Sequence, residues 1–172
     1  MGSADADLFF ELDQDPEVMR FLNDGKPTPR EDIDNYFLPR VLAFTDPERG
    51  HGIWEVTLTS TGEYLGWILV RDYGFGTHYH EHDNVELGWR LKRHCWGKGI
   101  ATEAAGNIMR TLQGNPSIRL FCAIADSENH GSIGVMKKLG MQFVDNRIHH
   151  TPKRDFPCAY YVLANTNPEA SP

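Results

Sequence analysis

The sequence has few cysteines, a deficit of basic residues and no long hydrophobic run. Its three cysteines, Cys95, Cys122 and Cys158, are odd in number and widely spaced. This pattern favours reduced thiols over a disulfide framework or a zinc site. The apolar runs are far shorter than a membrane span, and the acidic N-terminus lacks the basic and apolar regions of a secretory signal. We therefore expect a cytoplasmic protein without membrane contact.

The charge balance is acidic. The 172 residues carry 17 Lys and Arg against 24 Asp and Glu, a formal net charge of −7. Such a surface argues against nucleic acid as a partner and favours a cationic substrate. The chain is long enough to bury a core, and no linker or low-complexity segment divides it. We expect one domain over residues 1–172.

The most informative segment is WGKGIATEA, from Trp96 to Ala104. Its two glycines let successive backbone N–H groups turn toward one anion, and Lys98 adds a mobile charge. The residues that follow have helical apolar spacing, so a helix N-terminus would add its free amides and its dipole. The apolar positions of the predicted helix are Ile100, Ala104, Ile108 and Leu112, with Ala101, Ala105 and Met109 beside them. The pattern predicts a phosphate-binding loop, with tight strand–helix packing as the alternative.

Two common phosphate motifs do not fit this segment. Gly99 follows the lysine where the nucleotide-triphosphate loop has Ser or Thr. Thr102 stands where the dinucleotide fingerprint needs its third glycine for close helix–strand packing. The spacing therefore excludes both a kinase-like and a nicotinamide-binding interpretation.

Three further segments accompany the loop in a fixed order: ELGW at 86–89 before it, then NHGS at 129–132 and KLGMQF at 138–143. Together with the loop they resemble the GNAT superfamily of acyl-CoA-dependent N-acetyltransferases, in particular its RimJ/RimL-like branch. The resemblance implies an α/β (α+β) fold with a mixed, mostly antiparallel central sheet, a V-shaped splay and helices on both faces. Trp96 stands where the superfamily commonly has Gln or Arg.

The resemblance also implies a reaction. An acetyl group would pass from acetyl-CoA to a primary amine, on a protein N-terminus or a small molecule, by direct attack in a ternary complex. No metal is required for such a transfer. The alternative from another class is a catalytically inert CoA-binding or protein-interaction module with the same fold.

The residues implied for acetyl-CoA binding follow from the matched motifs. The pyrophosphate would contact the loop, and the strand edge at Leu91 and Arg93 would pair with the pantetheine arm. Asn129 would contact the CoA arm, with helix capping as its alternative role. The loop residues are Trp96, Gly97, Lys98, Gly99, Ile100, Ala101 and Thr102.

Three residues are candidates for catalysis. Glu86 would be a general base acting through water, if its strand position partly desolvates it; the alternative is a solvated strand glutamate. Ser132 matches the serine proposed to hydrogen-bond the CoA sulfur, or is an ordinary helix-surface hydroxyl. Tyr160 matches the position of an acid for the departing thiolate, or is a core tyrosine.

The segment HYHEHD at 78–83 is dense in potential metal ligands. If it is extended, its three histidines share one face. A polar loop or a substrate contact is the favoured interpretation, and no metal site is predicted.

The remaining pattern predicts helices over 4–23, 28–44 and 129–139, and strands over 118–124, 141–149 and 157–163. A hairpin is predicted with strands 52–58 and 63–72, and a strand over 84–91. Pro39 should break or kink the second helix. Only Met1–Ala4 precedes the first helix, whereas relatives usually begin with a strand. We expect a sheet edge that a second copy could cover, giving a possible homodimer.

Overall fold

The computed structural model describes residues 1–23, 25–150 and 155–166. Short helices come first, and strands and helices alternate afterwards. The α-helices are α1 Ala6–Leu12, α2 Pro16–Met19, α3 Arg30–Asp32, α4 Leu38–Phe44, α5 Ile100–Leu112 and α6 His130–Lys138. The strands are β1 Gly52–Thr57, β2 Tyr64–Tyr73, β3 Glu81–Leu91, β4 Leu120–Ala125, β5 Gln142–His150 and β6 Asp155–Ala164. The predicted mixed α/β class is confirmed.

The strands form one mostly antiparallel sheet in the order β1-β2-β3-β4-β6-β5. β1 pairs antiparallel with β2, and β6 pairs antiparallel with β4 and with β5. β3 and β4 are parallel, and their pairing runs only from Asn84↔Leu120 to Glu86↔Cys122. β3 continues to Leu91 beyond this short ladder.

The chain divides into two compact units, and the boundaries between them fall within β2, β3 and α5. The first unit comprises residues 1–70 and 89–101. Phe9, Phe37 and Trp67 pack against one another in this unit, edge-on with ring centroids 5.0 Å apart for the first pair and tilted at 6.3 Å for the second. Gly66 brings β2 close to β3, because a Cβ at this position would lie 2.2 Å from the Arg90 carbonyl oxygen. The single domain stays a prediction.

The second unit comprises residues 71–88 and the described residues from 102 onward. Its centre is β4, on which Phe121, Cys122 and Ala123 are almost completely buried. Cys122 packs with Tyr73 from β2 and Tyr160 from β6. The continuous apolar run of β4 is explained by this position, because a central strand is covered on both faces.

The first helical segment is interrupted at Asp15 and Pro16, as predicted. The Asp15 side chain accepts a hydrogen bond from the Glu17 amide, and Pro16 occupies the first turn of α2. Proline suits this position because its missing N–H would have no helical partner there.

The helix predicted over 28–44 begins at Arg30, and it is not broken at Pro39. A kink there stays a prediction. The turns of Ile33–Phe37 are π-helical, and α4 follows directly. The Leu38 amide donates to the Ile33 carbonyl, one residue farther back than in an α-helix. Proline has no N–H and clashes with the carbonyl four residues earlier. The wider turns before Pro39 let the helical run continue through it.

The predicted hairpin is confirmed, and of the apolar positions predicted for α5 it is Ala105 and Met109 that are fully buried. Ile100, Ala104, Ile108 and Leu112 are only half-buried. The fully buried positions of this 13-residue helix are Ala105, Gly106 and Met109. A Cβ at Gly106 would lie 3.5 Å from the Leu139 side chain, so small residues bring this face close to its neighbours. Among the described residues, no helix has both the length and the hydrophobicity needed to cross a membrane.

Candidate active site

The connection from β3 to α5 forms an exposed glycine-rich loop. Gly97 and Gly99 have φ angles of 72° and 81°, in the left-handed region that other residues enter only at a cost. A Cβ added at either position would meet nothing within 4 Å. Close packing is therefore not the reason for glycine in this loop. The backbone conformation is the reason, which removes the packing alternative considered from the sequence.

The loop presents backbone donors to solvent. Among the residues that the structure describes, the amides of Gly97, Lys98 and Gly99 have no hydrogen-bond acceptor. The first turn of α5 follows, where amides also lack helical partners and the helix dipole is positive. Lys98 is exposed beside them. Convergent amides, a helix N-terminus and a lysine together can bind an anion such as a pyrophosphate.

Both ends of the loop are anchored in one hydrophobic cluster. Cys95 is buried with Leu65 and Leu91, and Ile100 and Ala101 pack against these three from the far side of the loop. This anchoring keeps the amides of the loop in a defined conformation without filling the space in front of them. Thr102, the last residue of the predicted set, lies half-buried in the first turn of α5.

Trp96 closes the end of β3. Its indole N–H donates to the Leu91 carbonyl oxygen over 2.9 Å, and its ring is 47% exposed. The backbone amide of Lys92, the residue after Leu91, donates to the Leu65 carbonyl oxygen over 2.8 Å. Trp96 therefore already uses the Leu91 carbonyl that the sequence predicts for the pantetheine arm, although this oxygen has a second lone pair to offer.

A cavity of about 600 Å³ lies beside the start of the loop, and sequence reasoning missed it. The cavity is lined by acidic side chains from the N-terminal segment and by basic side chains from the stretch that follows β3. Lys92 makes an ion pair with Glu11 over 2.7 Å. The lining residues are Glu11, Leu12, Asp15, Val18, Lys92, Arg93 and His94. The signal in the sequence was the basic run 92–94, but its acidic partners are some eighty residues earlier.

Asn129 and Ser132 lie together at the start of α6. The Asn129 side-chain oxygen caps the helix by accepting the Ser132 amide over 3.1 Å. The capping role is therefore present. The side-chain nitrogen Nδ2 of Asn129 and the hydroxyl of Ser132 have no hydrogen-bond partner among the described residues, so both remain able to contact a ligand.

Glu86 lies in a buried ion pair. It is therefore not the solvated strand glutamate that the sequence left as the alternative. Nε of Arg71 donates to Oε2 of Glu86 and Nη2 donates to Oε1, each over 3.0 Å. The side chains of Arg71 and Glu86 are 14% and 5% exposed. Burial by itself lowers the pKa of Arg71, but the charge and hydrogen bonds of Glu86 raise this pKa above its ordinary value. Both oxygens of Glu86 are thus occupied by Arg71, and the base role of Glu86 stays a prediction.

Tyr160 lies in the core of the second unit. Its hydroxyl accepts a hydrogen bond from Nδ2 of Asn84 over 2.8 Å. The Arg147 guanidinium lies 3.6 Å from the centre of its ring. Burial raises the pKa of Tyr160 above its ordinary value, which makes the neutral phenol the only form near neutral pH. The contacts are those of a core tyrosine, and the acid role stays a prediction.

The histidine-rich segment is not extended throughout, so its three histidines do not share a face. His78 lies in a turn, whereas His80 and His82 flank the first residue of β3. Both of these reach one carboxylate oxygen of Asp72, at the end of β2, over 3.0 Å. Sequence reasoning missed Asp72, because it belongs to a different strand.

The family is decided by a comparison with known protein families. The model of the acetyltransferase (GNAT) domain matches residues 1–142. The chain belongs to the GNAT acetyltransferase family.

Two curated relatives of this GNAT chain carry acetyltransferase names. The FsC-acetyl coenzyme A-N(2)-transacetylase of Aspergillus fumigatus is 30% identical over 118 residues, which are 64% of this chain and 46% of that protein. The chain thus spans less than half of that relative's length. The uncharacterized N-acetyltransferase p20 of Bacillus licheniformis is 26% identical over 143 residues, covering 83% of this chain and 76% of p20.

Solved structures agree on the GNAT fold. The aminoglycoside acetyltransferase AAC(6')-Ib, in complex with paromomycin and acetyl-CoA, superposes with a TM-score of 0.77 at 20% identity, covering 99% of this chain and 94% of that one. RimL, a ribosomal L7/L12 α-N-protein acetyltransferase in complex with CoA, gives a TM-score of 0.71 at 12% identity, covering 95% and 90%. At these identities the likeness concerns the fold.

Proposed function

We propose that the protein is an acetyl-CoA-dependent N-acetyltransferase that moves an acetyl group to a primary amine by direct attack in a ternary complex. The observation that carries the proposal is the loop at 97–99. Its glycines are required by backbone conformation and not by packing, and its amides are presented to solvent before a helix N-terminus. Membership of the GNAT family and the CoA complexes of its structural neighbours support acetyl-CoA as the cosubstrate.

The loop would hold the pyrophosphate of acetyl-CoA. Backbone amides from Gly97 to Ala101 would donate to its oxygens, with the Lys98 ammonium and the Thr102 hydroxyl as side-chain partners. The strand edge at Leu91 and Arg93 would accompany the pantetheine arm. The side-chain nitrogen of Asn129 would donate to the same arm, and the Ser132 hydroxyl would stabilise the departing thiolate.

Positioning would supply much of the rate enhancement. Well-oriented reactants gain up to roughly 7–11 kcal/mol from proximity alone. Glu86 is bound on both oxygens by Arg71, so its contribution would come from joining β2 to β3 next to the reacting groups. A proton would then leave the attacking amine through water to solvent.

The acceptor would be a cationic amine. The net charge of −7 favours such a partner electrostatically, and the four ordered motifs resemble the RimJ/RimL-like branch. RimL is described as acting on a ribosomal protein N-terminus, and AAC(6')-Ib was solved with aminoglycosides. Protein N-termini and small polycationic amines are therefore the two acceptor classes to compare.

The test is thiol release from acetyl-CoA across N-terminal peptides, polyamines, amino acids and aminoglycosides, with calorimetric titration of CoA in parallel. Release that depends on one acceptor class would support the proposal and name the class. Tight CoA binding without release for any acceptor would favour the inert module, for which the comparisons offer no support. Absence of CoA binding would refute the assignment of the loop.

A further inference from the structure

Three side chains from two neighbouring strands converge at the start of β3. Asp72 lies near the end of β2, His82 is the second residue of β3, and His80 immediately precedes that strand. One potential ligand atom of each lies within 4.8 Å of the others. The set belongs entirely to the second unit, and neither the reaction nor the loop uses it.

The three groups differ in exposure in a way that suits a binding site. The Asp72 side chain is 4% exposed, His80 is 24% exposed and His82 is 77% exposed. A buried carboxylate therefore forms the floor of the site, and the imidazole of His82 leaves one side open to water. Carboxylate and imidazole ligands with one open position are typical of zinc sites that keep a water molecule.

Two of the three distances between ligand atoms are close to those of a zinc site. Nε2 of His80 and Nδ1 of His82 each lie 3.0 Å from Oδ2 of Asp72. Tetrahedral bonds of about 2.0–2.1 Å place neighbouring ligand atoms about 3.3 Å apart. Each histidine nitrogen would need to move only a few tenths of an ångström away from Oδ2 of Asp72 to reach this spacing.

The two rings are already oriented. Phe75 packs edge-on against His80, with centroids 5.5 Å apart, and the His80 and His82 rings lie 4.2 Å apart. Residues two apart in an extended strand point to the same face, which is why both rings reach Asp72. His80, which this packing holds in place, would lose little freedom on binding a metal.

We propose that Asp72, His80 and His82 bind a divalent transition-metal ion, with zinc as the best match and water completing the coordination. The two imidazole ligands select this class of cation over magnesium or calcium, which prefer oxygen ligands. The bound ion would join the end of β2 to the start of β3 and stabilise the connection between them. It takes no part in acetyl transfer.

The test uses untagged protein freed of metal by a chelator and titrated calorimetrically with zinc chloride. Cobalt chloride reports coordination geometry through its visible absorption. We expect one ion per chain, a tetrahedral cobalt spectrum and a higher melting temperature with zinc. His82→Ala and Asp72→Asn should each weaken zinc binding by at least about 100-fold, since even the loss of a group that merely supports a ligand costs 10–100-fold.

His150→Ala is the matched control, because His150 also contacts a carboxylate, that of Asp155, over 2.9 Å but lacks a third ligand in the described residues. Its zinc affinity should equal that of the wild type. His82 is exposed, so its variant should fold, and circular dichroism checks this. Zinc binding that is undetectable in the wild type, or equal in His82→Ala and the wild type, would overturn the proposal.

Discussion

Glu86→Gln separates a general base from a buried structural carboxylate. In the structure both oxygens of Glu86 accept hydrogen bonds from Arg71, and both side chains are largely buried. The substitution removes the negative charge but keeps the size of the side chain. Arg71 would then remain buried beside a neutral partner, which is a costly arrangement.

The magnitude follows from this environment. Removing one member of a buried ion pair costs about 3–5 kcal/mol. The glutamine oxygen can still accept one of the two hydrogen bonds, so we expect the lower end, about 3 kcal/mol. In a chain of this length that corresponds to a fall in melting temperature of about 6–12 °C. Replacing both partners, Arg71→Met with Glu86→Leu, should recover most of the loss because no charge stays buried.

The assay is urea unfolding of the wild type and the variants, together with the pH dependence of kcat/KM for the best acceptor. Asp83→Asn is the control, because Asp83 makes an ion pair with Arg119 over 2.7 Å on the exposed surface of the same strand. Its effect on stability should be much smaller, since exposed pairs contribute little.

Two results would refute this reasoning. Wild-type stability of Glu86→Gln would show that the ion pair does not stabilise the fold. A loss of the acidic limb of the pH profile, with stability preserved, would establish Glu86 as the general base. We expect instead a less stable enzyme whose pH profile keeps its shape.

Three further predictions concern the loop, α6 and the thiols. Gly97→Ala should weaken CoA binding about 5–30-fold in calorimetry, because an alanine in the left-handed conformation costs about 1–2 kcal/mol. Gly62→Ala, at a φ of 73° and with equally open surroundings, should leave CoA binding unchanged. If both variants bound CoA as tightly as the wild type, the assignment of the loop would be refuted. Ser132→Ala should lower kcat more than acetyl-CoA affinity, and unchanged turnover would defeat its assignment. Burial raises the pKa of Cys158 to about 11 and also raises the pKa of the other two thiols. The thiols of the native protein should therefore resist alkylation by iodoacetamide at mildly alkaline pH. Mass spectrometry of native and urea-unfolded samples checks this. The thiols involved are Cys95, Cys122 and Cys158.

The elements that sequence reasoning located well depend on neighbours along the chain. Asp15 and Pro16 start α2 through contacts within the same turn, and the hairpin closes through hydrogen bonds between Leu58 and residues four and five positions later. The π-helical turns before Pro39 were not predicted, for the opposite reason. Whether a helix breaks or widens at a proline depends on what its buried face packs against, and Ile33 and Val41 are held in the core on either side.

The sequence by itself determined the glycine loop and its place before a helix, because successive amides, two glycines and a lysine are local features. It also determined the order of motifs that identifies the family. The tertiary structure alone decided which partners meet across strands. Arg71 and Glu86 are 15 residues apart, and Asp72 lies 8 and 10 residues from its two histidines. Such pairs depend on strand register, which is set by the burial of the whole sheet and leaves no local trace in the sequence.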